Sequence, residues 1–170
     1  ATFGNLGIRG FSTAYTVTYT ASSLTTAAQS ITLDALAVGN TGPGGGTIFY
    51  VASSTEFNCG PALSEKCYYL EAAPTSGASA WIDVERSWST DTNNNQTSTV
   101  ANATGTAIGT GYKNSVAIVA QSGNVAETSA AVEARAYRGP NGLSDWFLPS
   151  KDELNQLYLR QTDVGGFSGF

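Results

Sequence analysis

The segment from 143 to 158, LSDWFLPSKDELNQLY, constrains the fold most, because it predicts both where a strand ends and where a helix begins. Trp146 and Leu148 alternate with Phe147, which is the period-two pattern of a strand, and Pro149 interrupts that pattern. The segment therefore predicts a short strand, with Trp146 in the core, that leads directly into a helix.

The predicted helix has a capping signature at its N-terminus. The Ser150 side chain is expected to accept a hydrogen bond from the backbone N–H of Glu153, whose carboxylate accepts one from the N–H of Ser150. We interpret both residues as structural caps. Leu154, Leu157 and Tyr158 follow at the spacing i, i+3 and i+4, which predicts that they form the buried face of this helix.

Residues 15 to 33, YTVTYTASSLTTAAQSITL, predict a β-hairpin. Tyr15, Val17 and Tyr19 alternate with threonines, which is typical of a half-buried strand, and a break is expected at residues 21 to 23. An isolated two-stranded hairpin is only marginally stable in water. Further sheet is therefore expected beside it.

A glycine-rich stretch, TGPGGG at 41 to 46, follows the hairpin. Consecutive backbone N–H groups can bind a phosphate, but no Gly-Lys-Ser/Thr follows here. The next residues, TIFYVA at 47 to 52, predict a strand instead of the helix that a phosphate loop requires. We interpret the glycines as a linker and the opening turn of the next domain.

The rest of the chain predicts short elements separated by polar loops. A second strand is expected at 68 to 74, and a long region rich in Ser, Thr, Asn and Gly occupies 75 to 111. Two helices are expected at 111 to 121, with Asn114 as N-cap, and at 126 to 137. The pattern predicts an α+β chain.

Charge and composition exclude several classes of function. The 170 residues carry 8 basic and 13 acidic side chains, a net charge of -5, which offers no electrostatic surface for nucleic acid. The absence of histidine excludes a Ser-His-Asp triad, a Cys-His pair and every histidine-ligated zinc site. We expect no metal and no cofactor.

The two cysteines, Cys59 and Cys67, lie eight positions apart around a turn that begins with Gly60 and Pro61. A disulfide that closes this loop is the simplest interpretation and indicates an oxidising compartment. A free dithiol or half of a metal site is the alternative, for which the other ligands are missing. No apolar run approaches the length of a membrane span, so we expect no membrane insertion. No signal segment opens the chain, so we expect a mature or excised piece. The disulfide and the composition rich in hydroxyl and amide side chains predict a location outside the cell or on its surface.

Four segments in order, TGPGGGTIFYVA, YYLEAAP, GTAIGTGYKNSVAIVA and LSDWFLPSKDELNQLY, resemble the Lcl C-terminal domain family of bacterial surface proteins. The similar region spans residues 39 to 167. The resemblance implies a C-type-lectin-like mixed domain with a ligand-presenting face built from long loops, and it implies no known reaction. The Glu-Pro-Asn, Gln-Pro-Asp and Trp-Asn-Asp motifs of calcium-dependent sugar binding do not occur in this sequence.

Residues 7 to 33 resemble the last two strands of a bacterial immunoglobulin-like sandwich. The resemblances together divide the chain into terminal strands of an immunoglobulin-like domain at 1–34, a linker at 35–46 and a lectin-like α+β domain at 47–170. In the family, the motif matched by Gly-Gly-Phe at 165 to 167 precedes further strands, so the lectin-like domain is expected to be truncated at its C-terminus.

Three tryptophans and four carboxylates are the candidates for a site. Trp81 and Trp88 lie among polar loop residues and are the candidate ligand-binding side chains, because tryptophan can stack on sugar rings. A glycosidase needs only two carboxylates, and the candidates for that role are Glu71, Asp145, Asp152 and Glu153. The sequons at Asn95 and Asn102 are interpreted as solvated loop.

Three hypotheses of function remain open at the level of sequence. The first is a non-enzymatic, extracellular or cell-surface adhesion module that binds a surface ligand, either glycan or protein. The second is a structural subunit of an extracellular filament or stalk that self-associates by strand complementation. The third is a carbohydrate-active hydrolase.

Overall fold

The computed structural model describes residues 14–20, 25–32, 36–82, 84–88, 99–121 and 129–166. Within these ranges it contains both helices and small antiparallel sheets, which confirms the α+β class. The strands are β1 (Ala14–Tyr19), β2 (Ala27–Thr32), β3 (Thr47–Val51), β4 (Phe57–Cys59), β5 (Glu65–Cys67) and β6 (Tyr69–Ala72). The helices are α1 (Gly111–Val119), α2 (Ala130–Ala136), α3 (Lys151–Leu159) and α4 (Gln161–Val164).

The predicted N-terminal hairpin is confirmed. β1 and β2 pair antiparallel, with Tyr15 opposite Ile31 and Tyr19 opposite Ala27. Burial alternates along β1 between exposed threonines and half-buried Tyr15, Val17 and Tyr19, as a strand with one apolar face requires. The break expected at 21 to 23 lies outside the described residues.

The central sheet pairs β3 with β6, which confirms the strands predicted at 47 to 52 and 68 to 74. A bulge between Ile48 and Tyr50 inserts one extra residue into β3. Ile48 is fully buried, its N–H donates to the carbonyl of Asn40, and its carbonyl accepts from the N–H of Gly39. The segment before β3 therefore covers one edge of this sheet.

β4 and β5 form a third, shorter antiparallel pair, joined by the disulfide between Cys59 and Cys67. The disulfide predicted from the sequence is thus confirmed. The turn between the strands requires backbone conformations that glycine favours, since Gly60 has φ 79°. The bond ties two strand ends whose Cα atoms are 6.0 Å apart.

The helix starts differ from those expected. Helix α1 begins at Gly111 with Thr110 as its N-cap, so the prediction of Asn114 as N-cap was wrong. The Asn114 side chain instead accepts from the N–H of Gly105 and donates to its carbonyl, which draws it toward the preceding loop and away from the helix end. Helix α2 begins after Ser129, whose hydroxyl accepts from the N–H of Val132.

The predicted strand at 146 to 148 was also wrong. These residues have no strand partner within the part of the chain that the structure describes. Side chains take the place of a neighbouring strand: Arg135 donates to the carbonyl of Trp146, and the Ser115 hydroxyl accepts from the N–H of Leu148. The segment is thereby fixed against helices α1 and α2.

The capping box at the start of α3 is present, with Ser150 and Glu153 in their reciprocal hydrogen bonds. The predicted buried face of this helix was wrong, because Leu154 and Tyr158 are 51% and 50% exposed, whereas Glu153 is fully buried. Backbone N–H groups outside the helix bind the Glu153 carboxylate and turn that side of α3 inward.

The described core is small, and β3 at its centre packs against β6, α3 and α4. Its buried apolar residues are Ile48, Phe49, Ala52, Cys59, Leu70, Ala131 and Ala134. Of the helices described, none has the length and apolar character to cross a membrane.

Candidate functional site

A cleft of about 1740 Å³ lies on the described part of the chain. Residues of β3, β5 and β6 line it, together with residues of α1, α2, α3 and the segment before α3. Its aromatic lining residues are Phe49, Tyr68, Tyr69, Trp81, Tyr112, Tyr137, Trp146 and Phe147. The cleft exceeds the roughly 300 to 1,000 Å³ typical of small-molecule pockets.

Three aromatic rings form a continuous row along this cleft. The ring of Tyr137 contacts that of Trp81 edge to face at 5.4 Å and that of Trp146 at 5.2 Å between centroids. The Tyr137 hydroxyl donates to the carbonyl of Ser79, and burial raises the pKa of this phenol. The row is therefore anchored at its centre, and all three of its residues line the cleft.

Arg135 joins Trp146 to Tyr112, a further aromatic residue of the lining. Its guanidinium donates to the carbonyl of Trp146 at 2.7 Å and to the Tyr112 hydroxyl at 2.6 Å. The same guanidinium lies 4.0 Å from the centre of the Tyr112 ring, in cation–π distance. Tyr112 in turn contacts the ring of Phe147. These contacts position the wall before any ligand is bound.

The glycine-rich loop binds a carboxylate of the chain itself. The N–H groups of Gly44 and Gly46 donate to the two Glu71 oxygens at 2.9 and 3.0 Å. A Cβ added at Gly42 would approach the Glu71 carboxyl carbon to 2.3 Å, so the loop has room for this side chain only because glycine stands there. The anion-binding geometry that a phosphate loop would use is thus occupied by Glu71.

Several interactions shift the pKa of the Glu71 carboxylate in opposite directions. Burial raises its pKa, the hydrogen bonds from Gly44 and Gly46 lower it, and the nearby Asp145 raises it again, with a net upward direction. Asp145 itself is exposed and lines the cleft beside Glu71. Two carboxylates therefore lie together at this end of the cleft.

Glu153 is a second carboxylate held by backbone N–H groups. It accepts from Ser150 at 2.6 Å and from Gly109 at 2.7 Å, with a longer contact of 3.5 Å to the N–H of Gly111. A Cβ at Gly111 would lie 2.2 Å from a Glu153 oxygen. Glu153 therefore joins the start of α3 to the start of α1, and its role is structural.

The structure separates the two tryptophans that the sequence offered as ligand-binding residues. Trp81 lines the cleft and belongs to the aromatic row. Trp88 is half-buried and lies outside the described lining of the cleft. Asn102 is exposed, and Asn95 lies outside the described residues.

Sequence reasoning missed Tyr137 and the contact between Glu71 and the glycine loop. A single acid within the apolar stretch YYLEAAP was a signal for Glu71, because a half-buried carboxylate in a strand needs hydrogen-bond donors. Nothing in the local pattern indicated Tyr137. Trp146, expected in the core, is half-buried, and its indole N–H is shielded from solvent without a partner in the described part of the chain.

Among the described residues, no cluster of three or more His, Cys, Asp or Glu side chains could hold a metal ion. Comparison of the chain with models of known families, with curated proteins and with solved structures finds no match.

Proposed function

We propose that this chain is a non-enzymatic ligand-binding module of an extracellular or cell-surface protein, and that the cleft is its binding site. The observation that carries the proposal is a cleft of about 1740 Å³ whose wall contains the row Trp81, Tyr137 and Trp146. Large aromatic side chains fixed by their own contacts provide binding area at a low entropic cost. The resemblance to the Lcl C-terminal domain family, with its C-type-lectin-like fold, supports the same reading.

The carboxylates favour binding over hydrolysis. Glu71 and Glu153 each accept hydrogen bonds from two or more backbone N–H groups, so both have structural roles that account for their positions. Asp145 is exposed, whereas a glycosidase acid needs an environment that keeps it protonated. A hydrolase remains the alternative if Glu71 and Asp145 act as a pair.

The disulfide between Cys59 and Cys67 supports a location outside the cytoplasm, because such bonds persist in oxidising compartments. Solubility of the chain relies on hydroxyl and amide groups, since charged residues make up only 12% of it. This composition suits an exposed β-rich surface protein.

The experiment compares Trp81→Ala with Trp88→Ala. Wild-type protein is screened by biolayer interferometry against soluble oligosaccharides and immobilised matrix polypeptides. For any ligand found, Trp81→Ala should weaken binding at least about tenfold, the effect of losing a buried aromatic contact, whereas Trp88→Ala should change affinity less than about twofold. Equal effects of the two substitutions would show that the ligand binds elsewhere.

A second candidate is a structural subunit that assembles by strand addition. The observation that favours it is that the sequence from 10 to 33 contains no charged residue and no proline, although β1 and β2 within it form a two-stranded sheet. Natural edge strands are usually protected from pairing by lysine, proline or bulges. The hairpin has none of these at its described strands.

A further inference from the structure

The chain contains one asparagine that is followed directly by glycine, Asn141 before Gly142. Every other asparagine precedes a residue that carries a side chain. Asparagine loses its amide group when the backbone nitrogen of the next residue attacks the side-chain carbonyl carbon, and a side chain on that next residue hinders the attack. Glycine has no Cβ and lets the two groups approach closely. The sequence therefore singles out Asn141 as the asparagine most open to deamidation.

The structure leaves the reacting pair accessible. Asn141 and Gly142 are both exposed and lie in the turn that follows helix α2. Gly142 has φ 73°, and a Cβ built on it would meet no atom within 4 Å. Within the described part of the chain, the N–H of Gly142 donates no backbone hydrogen bond. Among the described residues, none therefore crowds Gly142 or holds its nitrogen through the backbone.

The side chain of Asn141 fixes the glycine-rich loop. Its Nδ2 donates to the carbonyl of Pro43 at 2.7 Å. Beside this bond, Pro140 lies against the same loop, because a Cβ added at Gly45 would approach Pro140 to 2.8 Å. Pro43 and Gly44 also line the cleft. A change at Asn141 therefore acts on a loop that forms part of the cleft.

The reaction needs only water. The Gly142 nitrogen gives up its proton and bonds to Cγ of Asn141, the bond between Cγ and Nδ2 breaks, and ammonia leaves with that proton. The resulting succinimide ring takes up one water, which opens it at either carbonyl carbon to give aspartate or isoaspartate. The net reaction consumes water, releases ammonia and involves no oxidant or reductant.

We propose that Asn141 is a site of spontaneous deamidation, and that its conversion breaks the hydrogen bond between the turn at 139–142 and the glycine-rich loop. The product is a carboxylate, which accepts hydrogen bonds and donates none when ionised. It therefore cannot bind the carbonyl of Pro43, and its negative charge lies beside that oxygen. The loop at 42–46 is then held by Glu71 without the contact from the turn.

The first experiment follows the modification itself. The purified chain is incubated at mildly alkaline pH, digested at intervals and mapped by mass spectrometry, with isoaspartate separated from aspartate by chromatography. The peptide that contains Asn141 should gain the mass difference between a hydroxyl and an amino group at least about tenfold faster than the peptide that contains Asn102, which precedes Ala103. Both asparagines are exposed, so Asn102 is a control within the same sample.

The variant Asn141→Gln provides a second control for the rate. Its side chain keeps the amide, but attack by the next backbone nitrogen must close a larger ring. Position 141 should therefore keep its mass throughout the incubation. A mass gain in this variant as fast as in the wild type would show that the change arises elsewhere in the peptide.

The second experiment measures what the modification does to the loop. Asn141→Asp carries the product carboxylate from the start. Amide hydrogen exchange at Gly45, whose N–H donates to the carbonyl of Gly42, should become about two- to tenfold faster than in the wild type, the effect of losing one hydrogen bond. Asn155→Asp, an exposed position on α3 outside the cleft lining, introduces the same charge and should leave Gly45 unchanged.

Equal rates of conversion at Asn141 and Asn102 would overturn the modification site. Conversion at Asn141 without faster exchange at Gly45 in Asn141→Asp would overturn its effect on the loop. Faster exchange in Asn141→Asp and Asn155→Asp alike would assign the effect to net charge and overturn the role of the bond to Pro43. Both experiments use the chain without a ligand, so their results are independent of the proposed binding function.

Discussion

Two carboxylates and the glycines around them determine much of the described structure at the scale of single residues. Glu71 binds the N–H groups of the loop at 42 to 46, and Glu153 binds those of Gly109 and Ser150. In both places the acid reaches across 25 or more residues of sequence, apart from the local bond to Ser150. Each glycine is required because a Cβ would displace the carboxylate or the adjacent backbone.

Glu153→Ala should lower the free energy of unfolding by about 3 kcal/mol or more, because it leaves buried N–H groups without an acceptor. Ser150→Ala removes one cap and should cost about 1 kcal/mol. Asp152→Ala, an exposed first-turn acid, should cost no more than about 1 kcal/mol. Urea unfolding measures all three, and equal costs for Glu153 and Asp152 would contradict the role assigned to Glu153.

Glu71 gives the stability of the protein a defined dependence on pH. Because the pKa of Glu71 in the folded chain is raised above its usual value of 4.5, folding favours the protonated form. The stability that this group contributes is full below pH 4.5 and is lost as pH rises through the raised pKa. Glu71→Gln cannot ionise and should lack that loss.

The measurement is the difference in unfolding free energy between wild type and Glu71→Gln across pH 4 to 7. The wild type should lose stability relative to the variant as pH rises, by a small amount since solvent reaches the half-buried carboxylate. Asp163→Asn, an exposed acid on α4, is the control that should show no such trend. A difference that grows in favour of the wild type at higher pH would reverse the sign of the argument.

At the scale of elements, the sequence pattern predicted those helices and strands that depend on interactions between residues close together in sequence. The β1–β2 hairpin and strands β3 and β6 follow from alternation and turn residues, and the capping box from a spacing of three. The strand expected at 146 to 148 failed because Arg135 and Ser115 supply the hydrogen bonds that a strand would have supplied.

The candidate site was less predictable than the elements, for a physical reason. Helical spacing in α3 identified an apolar stripe, but Glu153 faces inward because its donors lie 42 and 44 residues away in sequence. The aromatic row likewise joins Trp81 to Tyr137 and Trp146 from three separate segments. The polar residues around Trp81 in the sequence indicated it as a candidate, whereas no local pattern indicated that Tyr137 and Trp146 would join it in a row.

The β4–β5 pair depends on its disulfide. Each strand has three residues, too few for an independent hairpin, and the bond closes a short loop. Reduction should therefore lower the free energy of unfolding by about 2 to 3 kcal/mol. Urea unfolding with and without reductant measures the change, and a double Cys→Ser variant should be insensitive to reductant. If the wild type unfolds at the same urea concentration with and without reductant, the disulfide does not stabilise the protein as expected.

At the scale of the whole molecule, two sheets have edges that could extend. The described strands form three separate two-stranded sheets, so neither the N-terminal hairpin nor the central sheet reaches the three strands that usually give a sheet stability of its own. Residues of β6 line the cleft. Strands β1 and β2 lack charged residues, which leaves their edges without the charges that usually discourage pairing.

Assembly through the hairpin predicts association that depends on protein concentration and on the charge of β1. Thr16 and Thr18 are exposed, so lysine at both positions leaves the apolar face of the hairpin intact while placing charge beside its edge. If the hairpin mediates assembly, wild-type protein should elute earlier from size exclusion as its concentration rises, and Thr16→Lys with Thr18→Lys should remain a 17.6 kDa monomer. Thr162→Lys adds a positive charge at an exposed position of α4 and should associate like the wild type. Wild-type protein that stays monomeric at every concentration would remove the structural-subunit candidate and leave the cleft as the functional surface.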